Sequence, residues 1–450
     1  MGSDHSHSAR PAPPRVRRIL VATVVPLFVA TVVAAVVLWP RDGAPENGGG
    51  ANLPRHHGTV TRVVTEPCPP STNPEGTPSS GPCGTVDVLL EDGPRADRQV
   101  STPVPAGPGA PRVDVGDDVV LVELTDPTDP TISTWNIAEH QRGTPLVWLV
   151  VVFAAAIVAF GRWRGLAALA GLAASFAILL TFVLPAIGAG RSPLLVAVVG
   201  AALIMFVVLY LTHGVTAQTS VAVLGTLGSL VLTGVLATIA TAATHLTGFG
   251  SEDATTLSMF QADVDLRGLL LAGIIIGSLG VLDDVTVTQA ATVTELANAN
   301  PGLSRRQLYR AATRVGRAHI ASTVNTIVLA YAGASLPLLL LLTADSRPIG
   351  QILTSEFLAQ EIVRSAVATL GLIAAVPLTT GLAAVVTAAG STATTDAPPP
   401  RPRADRAEAL AALSSPPSDR ADRPDPQRNT PPSTATIGWP EPNRSTDTAW

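Results

Sequence analysis

The sequence predicts an α-helical polytopic membrane protein of about eight transmembrane helices, with a small extracytoplasmic all-β domain between helices 1 and 2. Three observations predict it. Apolar residues make up 47% of the 450 and charged residues only 14%, where a soluble chain carries roughly a quarter. The apolar excess is gathered into runs of helix length, with the charge left in loops and tails. Arginine supplies every one of the 29 basic residues, lysine being absent, and it is plentiful in alternate loops and scarce in the others.

Lipid offers no partner to bare backbone, so a spanning segment closes its own hydrogen bonds, and a helix needs about 20 residues to cross. The first run is Ile19 to Trp39. It exceeds the apolar stretch of a secretory signal, and no A-x-A cleavage pattern follows in Trp39-Pro40-Arg41-Asp42, so it reads as a retained anchor. Seven further runs follow: Pro145 to Phe160, Leu166 to Ile187, Pro193 to Leu211, Val221 to Leu246, Gly268 to about Ala290, Ala321 to Thr343, and Ala366 to Ala389. Two are unusual as spans, because Val221 to Leu246 is rich in Thr and Gly268 to Ala290 carries Asp283 and Asp284 in its later half.

Orientation follows from the excess of arginine on cytoplasmic loops. Arg10, Arg15, Arg17 and Arg18 place the N-terminus inside. Eight spans then put Arg162 and Arg164, the group Arg305, Arg306, Arg310, Arg314 and Arg317, and the tail arginines Arg401, Arg403 and Arg406 inside as well. The opposite short loops hold only Arg191, Arg267, Arg347 and Arg364. Both termini are expected in the cytoplasm, with the chain in the plasma membrane. The resulting organisation is a basic tail (1–18), an anchor (19–39), the external β domain (40–144), a seven-helix membrane domain (145–390) and a disordered cytoplasmic tail (391–450) poor in large apolar residues.

The external segment reads as strands and turns. Gly58 to Val64, Gly84 to Leu90 and Val119 to Leu124 are β-branched runs, and Glu91-Asp92-Gly93 and Asp114 to Asp118 are turn signals beside them. A small barrel or sandwich fits. Cys68 and Cys83 are the two cysteines of the chain, and outside the cytoplasm they are either a disulfide stapling a Pro-rich loop or two unpaired thiols. His56 and His57 are adjacent, without a spaced carboxylate or cysteine, and make a poor ligand set; no metal and no cofactor is expected.

The most informative stretch is Gly268 to Asn300. Gly273, Gly277 and Gly280, at spacings of four and three, lie on one helix face where another helix could pack closely. Asp283 and Asp284 lie ~23 Å along a helix that enters at Gly268, at or near the inner edge of the hydrocarbon. A carboxylate there costs at least ~2.5 kcal/mol unless it faces water or a partner. Asp284, Thr288, Thr292 and Glu295 continue one polar face, with Gln289 beside it. Two readings stand: a lining for an ion or polar-solute path, or interfacial acids paired with Arg314 or Arg317. Arg306, Arg310, Arg314 and Arg317 form a basic helical face, expected along anionic inner-leaflet lipid. Asn325, early in an apolar span, should hydrogen-bond to a neighbouring helix as packing glue or as a ligand. His213, Thr216, Gln218 and Thr219 form a weaker polar link on the same side.

The motifs of zinc proteases, of nucleophile-elbow hydrolases and of phosphate-binding loops are absent from the sequence, so a catalytic role is not expected. The net charge of −5 averages over compartments that a membrane separates and gives no reason to expect a nucleic-acid partner. Membrane lipids, envelope proteins or a second copy are the partners expected.

Two stretches resemble a known family. Leu271-Ala-Gly-Ile-Ile-Ile-Gly-Ser-Leu-Gly-Val-Leu-Asp-Asp-Val-Thr-Val-Thr-Gln-Ala290 and Asn325-Thr-Ile-Val-Leu-Ala-Tyr-Ala-Gly-Ala-Ser-Leu-Pro-Leu-Leu339 look like the YibE/F family of bacterial membrane proteins, and the Asp-Asp form resembles its actinobacterial branch. The likeness runs from about Leu146 to Ala389, and the external domain fits the family layout. It implies a polytopic membrane protein and carries over no substrate or catalytic residue. Where the family pattern has a single Asp followed by small hydroxyl residues, this chain doubles the Asp and adds Gln289, which leaves open which Asp has the general role. The leading expectation is a permease- or channel-like transport component whose path passes Asp283 and Asp284, with Thr288 and Gln289 beside them and Asn325 on the facing helix. The other is a non-transporting scaffold or assembly factor whose β domain binds an envelope partner.

Overall fold

The structure, a computed structural model, describes residues 13–41, 54–66, 83–105, 110–125, 133–250, 252–261, 264–337, 339–340 and 348–392. Cys68 and nearly all of the 391–450 tail lie outside the described residues, so the expectations about the staple and the tail do too. The described chain is mostly helical with one small antiparallel sheet, and six of its helices are long and apolar enough to cross a bilayer.

The sheet holds β1 (Arg55–Glu66), β2 (Cys83–Leu90), β3 (Gln99–Pro103), β4 (Asp118–Thr125) and β5 (Ser133–His140), in the order β3-β2-β1-β4-β5 with every pairing antiparallel. The three β-branched runs became β1, β2 and β4. β3 is short, and β5, as long as β2 and β4, holds few β-branched residues, so neither gave a comparable signal. Side chains alternate, so Val60, Val86, Val88, Leu90, Val119, Leu121, Trp135 and Ile137 fill one face as a core. A bulge between Val60 and Arg62 bends β1. The two edges meet where the Thr102 hydroxyl of β3 donates to the Trp135 carbonyl of β5 at 2.6 Å, so the sheet curls toward a barrel. At the turn after β2, Gly93 adopts φ +83°, a region that favours glycine. Asp92 beside it accepts from His57, Nδ1 to Oδ2 at 2.7 Å and N to Oδ1 at 3.0 Å, and lies 3.3 Å from His56 Nδ1. Both histidines are thus occupied in fixing a turn.

The helices are α1 (Pro14–Leu38), α2 (Gly143–Ile178), a π-helical turn (Leu179–Val183) running into α3 (Leu184–Gly188), α4 (Pro193–His213), α5 (Ala217–Ala243), α6 (Glu252–Phe260), α7 (Leu266–Ala299), α8 (Arg305–Ala334), α9 (Ile349–Leu353) and α10 (Glu356–Thr392). α2 is not straight. Arg162 takes φ 51° and ψ −127°, and a side chain at Gly165 would collide with the Ile157 carbonyl. Those residues would be two turns, ~12 Å, apart in a straight helix, so the chain folds back between the runs ending at Phe160 and starting at Leu166.

α8 joins two segments that the sequence separates. The basic stretch is not a helix of its own. It is the first half of an unbroken helix whose second half is apolar, because nothing between Arg305 and Ala334 breaks it and a capping box of Ser304 and Gln307 starts it. Arg306 and Arg317 therefore lie ~17 Å apart along one straight axis.

α5, α7 and α10 form the centre, with α4 and α8 beside α7. Glycines set the spacing: added side chains at Gly225 and Gly371 would overlap Thr379 and Thr233, so α5 and α10 approach backbone to backbone. Antiparallel α7 and α8 make a hairpin closed by residues 300–304.

Candidate functional site

Polar groups on α7 fall on two sides, and the two sides differ in kind. Asp284 is on the outer side with its side chain 67% exposed, Asp283 is half-buried, and Thr288 is half-buried. Gln289 is on the inner side and wholly buried. The expected polar row is therefore split.

On the inner side, five uncharged polar side chains meet in one layer, all fully buried: Thr226 of α5, Thr286 and Gln289 of α7, and Thr379 and Thr380 of α10. Thr226 and Thr286 hydroxyls lie 2.6 Å apart. Thr380 donates to Gln289 Oε1 at 3.0 Å. Thr379 packs on Gly225, next to Thr226. Gly316 of α8 closes over Gln289, since a side chain there would lie 2.7 Å from Gln289 Nε2. Ser229 and Thr233 extend the seam along α5, each donating 2.8 Å back to a carbonyl of its own helix. Three side-chain atoms here have no hydrogen-bond partner among the described residues: Gln289 Nε2, Thr379 Oγ1 and, on α8, Thr313 Oγ1. Buried polar atoms normally find partners, and each left without one costs about 1–3 kcal/mol.

On the outer side, the acids meet α8. Asp284 Oδ2 lies 3.8 Å from His319 Nε2, an ion-pair separation too long for a hydrogen bond. The expected partners Arg314 and Arg317 make no ion pair among the described residues and are exposed, as are Arg306 and Arg310. Of the three packing glycines, Gly273 and Gly280 have nothing within 4 Å and Gly277 has only the Tyr331 hydroxyl, at 3.4 Å. At Gly273 and Gly280 the face is open, and at Gly277 only the Tyr331 hydroxyl of α8 reaches it. Asn325 is exposed and makes no hydrogen bond among the described residues. It sits six residues from His319, about 120° around α8, and so faces away from the acids. The structure does not bring Asn325 together with Asp284.

Sequence reasoning missed Thr226, Thr286, Thr379, Thr380 and His319. The Gly225-Thr226 and Gly228-Ser229 pairs and the adjacent threonines of α10 were the available signals, but a Thr-rich apolar run does not say which face its hydroxyls share. Of the weaker polar link, Thr216 caps α5 by accepting from the Thr219 amide at 3.0 Å, a local structural task. Among the described residues no group of three or more His, Cys, Asp or Glu is arranged to hold a metal ion.

Searches of curated proteins and of solved structures return no match. A family model described as YibE/F-like protein matches residues 149–389, more than half of the chain and every helix that builds the layer. On that match, in agreement with the Asp-Asp and Asn325 motifs, the chain belongs to the YibE/F-like protein family.

Proposed function

We propose that this chain is a permease- or channel-like component that moves an ion or a small polar solute across a bacterial plasma membrane, along the buried polar layer on the inner side of α7. The observation that carries this reading is the unpartnered Nε2 of the buried Gln289 amide, held with four threonine hydroxyls where the three central helices cross. Helix packing alone would be served as well by alanine there, without the desolvation cost of an unsatisfied amide. Gly316 acts as the cover, and Asp284 with His319 stands at the edge of the same α7–α8 contact. The reading uses eight spans, with α2 crossing twice about Arg162 and the second half of α8 as a further span. It places both termini and the arginines of α8 inside and the β domain outside.

The test is solute flux in proteoliposomes holding wild type, Gln289→Leu or Asp284→Asn, with candidate ions and amino acids as solutes. Gln289→Leu should lower flux at least tenfold. Equal flux in all three removes both residues from the path.

One observation favours a second reading, a scaffold. The outer face of β1 to β4 is exposed and hydrogen-bonding, with the Thr59 hydroxyl 2.6 Å from Glu91 and 3.1 Å from Asp118, to either of which its one hydrogen can go, and Gln99 donating to Thr61 at 3.3 Å. Such a face suits an envelope partner. Deleting residues 40–144 separates the readings: a scaffold loses its phenotype, while a transporter core retains flux.

A further inference from the structure

Three polar side chains of α7 and α8 are left open within the chain, and acyl chains offer them nothing. Asp284 has His319 alone, 3.8 Å away and beyond hydrogen-bond reach. Arg317 and Asn325 are exposed and make no hydrogen bond or ion pair among the described residues. Asn325 lies eight residues past Arg317 toward the apolar end of α8, ~12 Å further along the axis. An amide at that depth belongs against protein.

The open face of α7 is also unlike a lipid-facing one. Gly273, Gly277, Gly280 and Asp284 follow at spacings of four, three and four, an exposed line without a large apolar side chain. Open faces elsewhere carry Leu195, Val207 and Leu211 on α4 and Val231, Val235 and Ile239 on α5. Those suit lipid. Glycines that lead to an exposed carboxylate suit a second helix that comes close and brings donors and positive charge.

A second copy holds such a helix at the right depth. Copies in one membrane that share an orientation differ by rotation about the membrane normal, so residues level within a chain stay level between chains. The structure supplies the levels, because Gly316 faces Gln289 and His319 faces Asp284 across the antiparallel α7–α8 pair. Counted from those contacts, Arg317 stands within ~3 Å of the level of Asp284, and Asn325 falls between Gly277 and Gly280. Between Arg317 and Asn325, the exposed Ala318 and Ala321 leave room for close approach.

We infer that the outer face of α8, from Arg317 to Asn325, docks on the open face of α7 in a second copy of this chain. Arg317 then meets Asp284, and the Asn325 amide donates to a helix carbonyl that the glycines leave uncovered, whose second lone pair is free. Charge disfavours the two symmetric alternatives: α7 on α7 sets Asp284 beside Asp284, and α8 on α8 sets Arg317 beside Arg317. The α8 face points away from its own α7, so each copy has one neighbour on each side and the contact closes as a ring of three or more copies. The docking holds whether or not the chain moves a solute.

The experiment is disulfide cross-linking in membranes of cells that make two differently tagged full-length chains, both with Cys68→Ser and Cys83→Ser. One chain carries Gly280→Cys and the other Ala321→Cys, positions level within ~3 Å and open within the chain. Oxidation should join them into a product holding both tags, and either variant paired with itself should give at most a tenth of that yield. Asp284→Arg on the first chain, or Arg317→Asp on the second, should lower the mixed yield at least fivefold, and the two together should restore it. Asn325→Leu on the second chain should lower it as well. The tags report how much of each chain reaches the membrane, and if a charge-reversed chain does not, the three cysteine pairings decide. Absence of the mixed product, a Gly280→Cys or Ala321→Cys self-product of equal yield, or charge reversals without effect overturns the inference.

Discussion

Gln289 and Asp284 lie on opposite sides of one helix, five residues and about 140° apart at ~3.6 residues per turn. The amide is wholly buried against α8 and α10, and the carboxylate side chain is 67% exposed. Substitutions at the two positions should therefore separate. Gln289→Leu removes the unpartnered Nε2 but also the acceptor of the buried Thr380 hydroxyl, so stability should stay within about 1 kcal/mol of wild type while flux falls at least tenfold. Asp284→Asn should leave the melting temperature within ~2 °C of wild type. A large loss of stability in Gln289→Leu would make the amide a structural element.

The glycines give a contrast within one helix bundle. Alanine at Gly225, Gly316 or Gly371 puts a methyl into Thr379, Gln289 or Thr233, and each should cost about 1–3 kcal/mol. Alanine at Gly273 or Gly280 meets nothing within 4 Å and should be neutral or stabilising by up to ~1 kcal/mol. Thermal melts of the five variants in nanodiscs that each hold one chain check this. Destabilisation at Gly273 or Gly280 there would mean that the face is closed within the chain.

These glycines also mark what could be read from the sequence. The spacing of Gly273, Gly277 and Gly280 puts them on one helix face, yet spacing does not say whether a neighbour occupies it. Hydropathy located the apolar helices and the β-branched runs located β1, β2 and β4, because burial on one face or all round writes itself into composition. The buried layer was not legible. It joins α5, α7 and α10, residues up to 154 apart between Thr226 and Thr380, through contacts that leave no local pattern. Asn325 was misjudged for the same reason: cost in lipid argues for a partner without naming where it lies.

The β domain should be sensitive to acid through Asp92. Hydrogen bonding from the His57 side chain, helped by its backbone N–H, holds this carboxyl below the usual aspartate range against the opposing effect of burial. A carboxyl whose pKa is lowered by folding adds stability above its unfolded pKa, near ~3.9, and loses it as pH falls through the lowered folded value. Wild type should exceed Asp92→Asn in stability at neutral pH, and the difference should shrink toward zero as pH falls through the lowered folded value. Thermal melts of both proteins across that range measure it, and a difference that grows with acid would contradict the assignment.

The number of times α2 and α3 together cross the membrane can be counted from one pair of labels. From Gly143 to Gly188 is 46 residues, ~69 Å of helix if straight, more than twice the ~30 Å of hydrocarbon. The break at Arg162 and the contact of Gly165 with Ile157 fold that length in two. With two crossings there, plus α4, α5 and α7, five crossings separate the β domain from the α7–α8 turn, which puts Arg310 on the opposite side of the membrane from Thr61. With one crossing there are four, and the two residues share a side. Cysteines introduced as Thr61→Cys and Arg310→Cys in a Cys68→Ser, Cys83→Ser background, labelled by an impermeant maleimide on intact cells, should react and stay silent respectively. Reaction at both positions would make α2 a single bent span, reverse every later loop, and place the arginines of α8 outside.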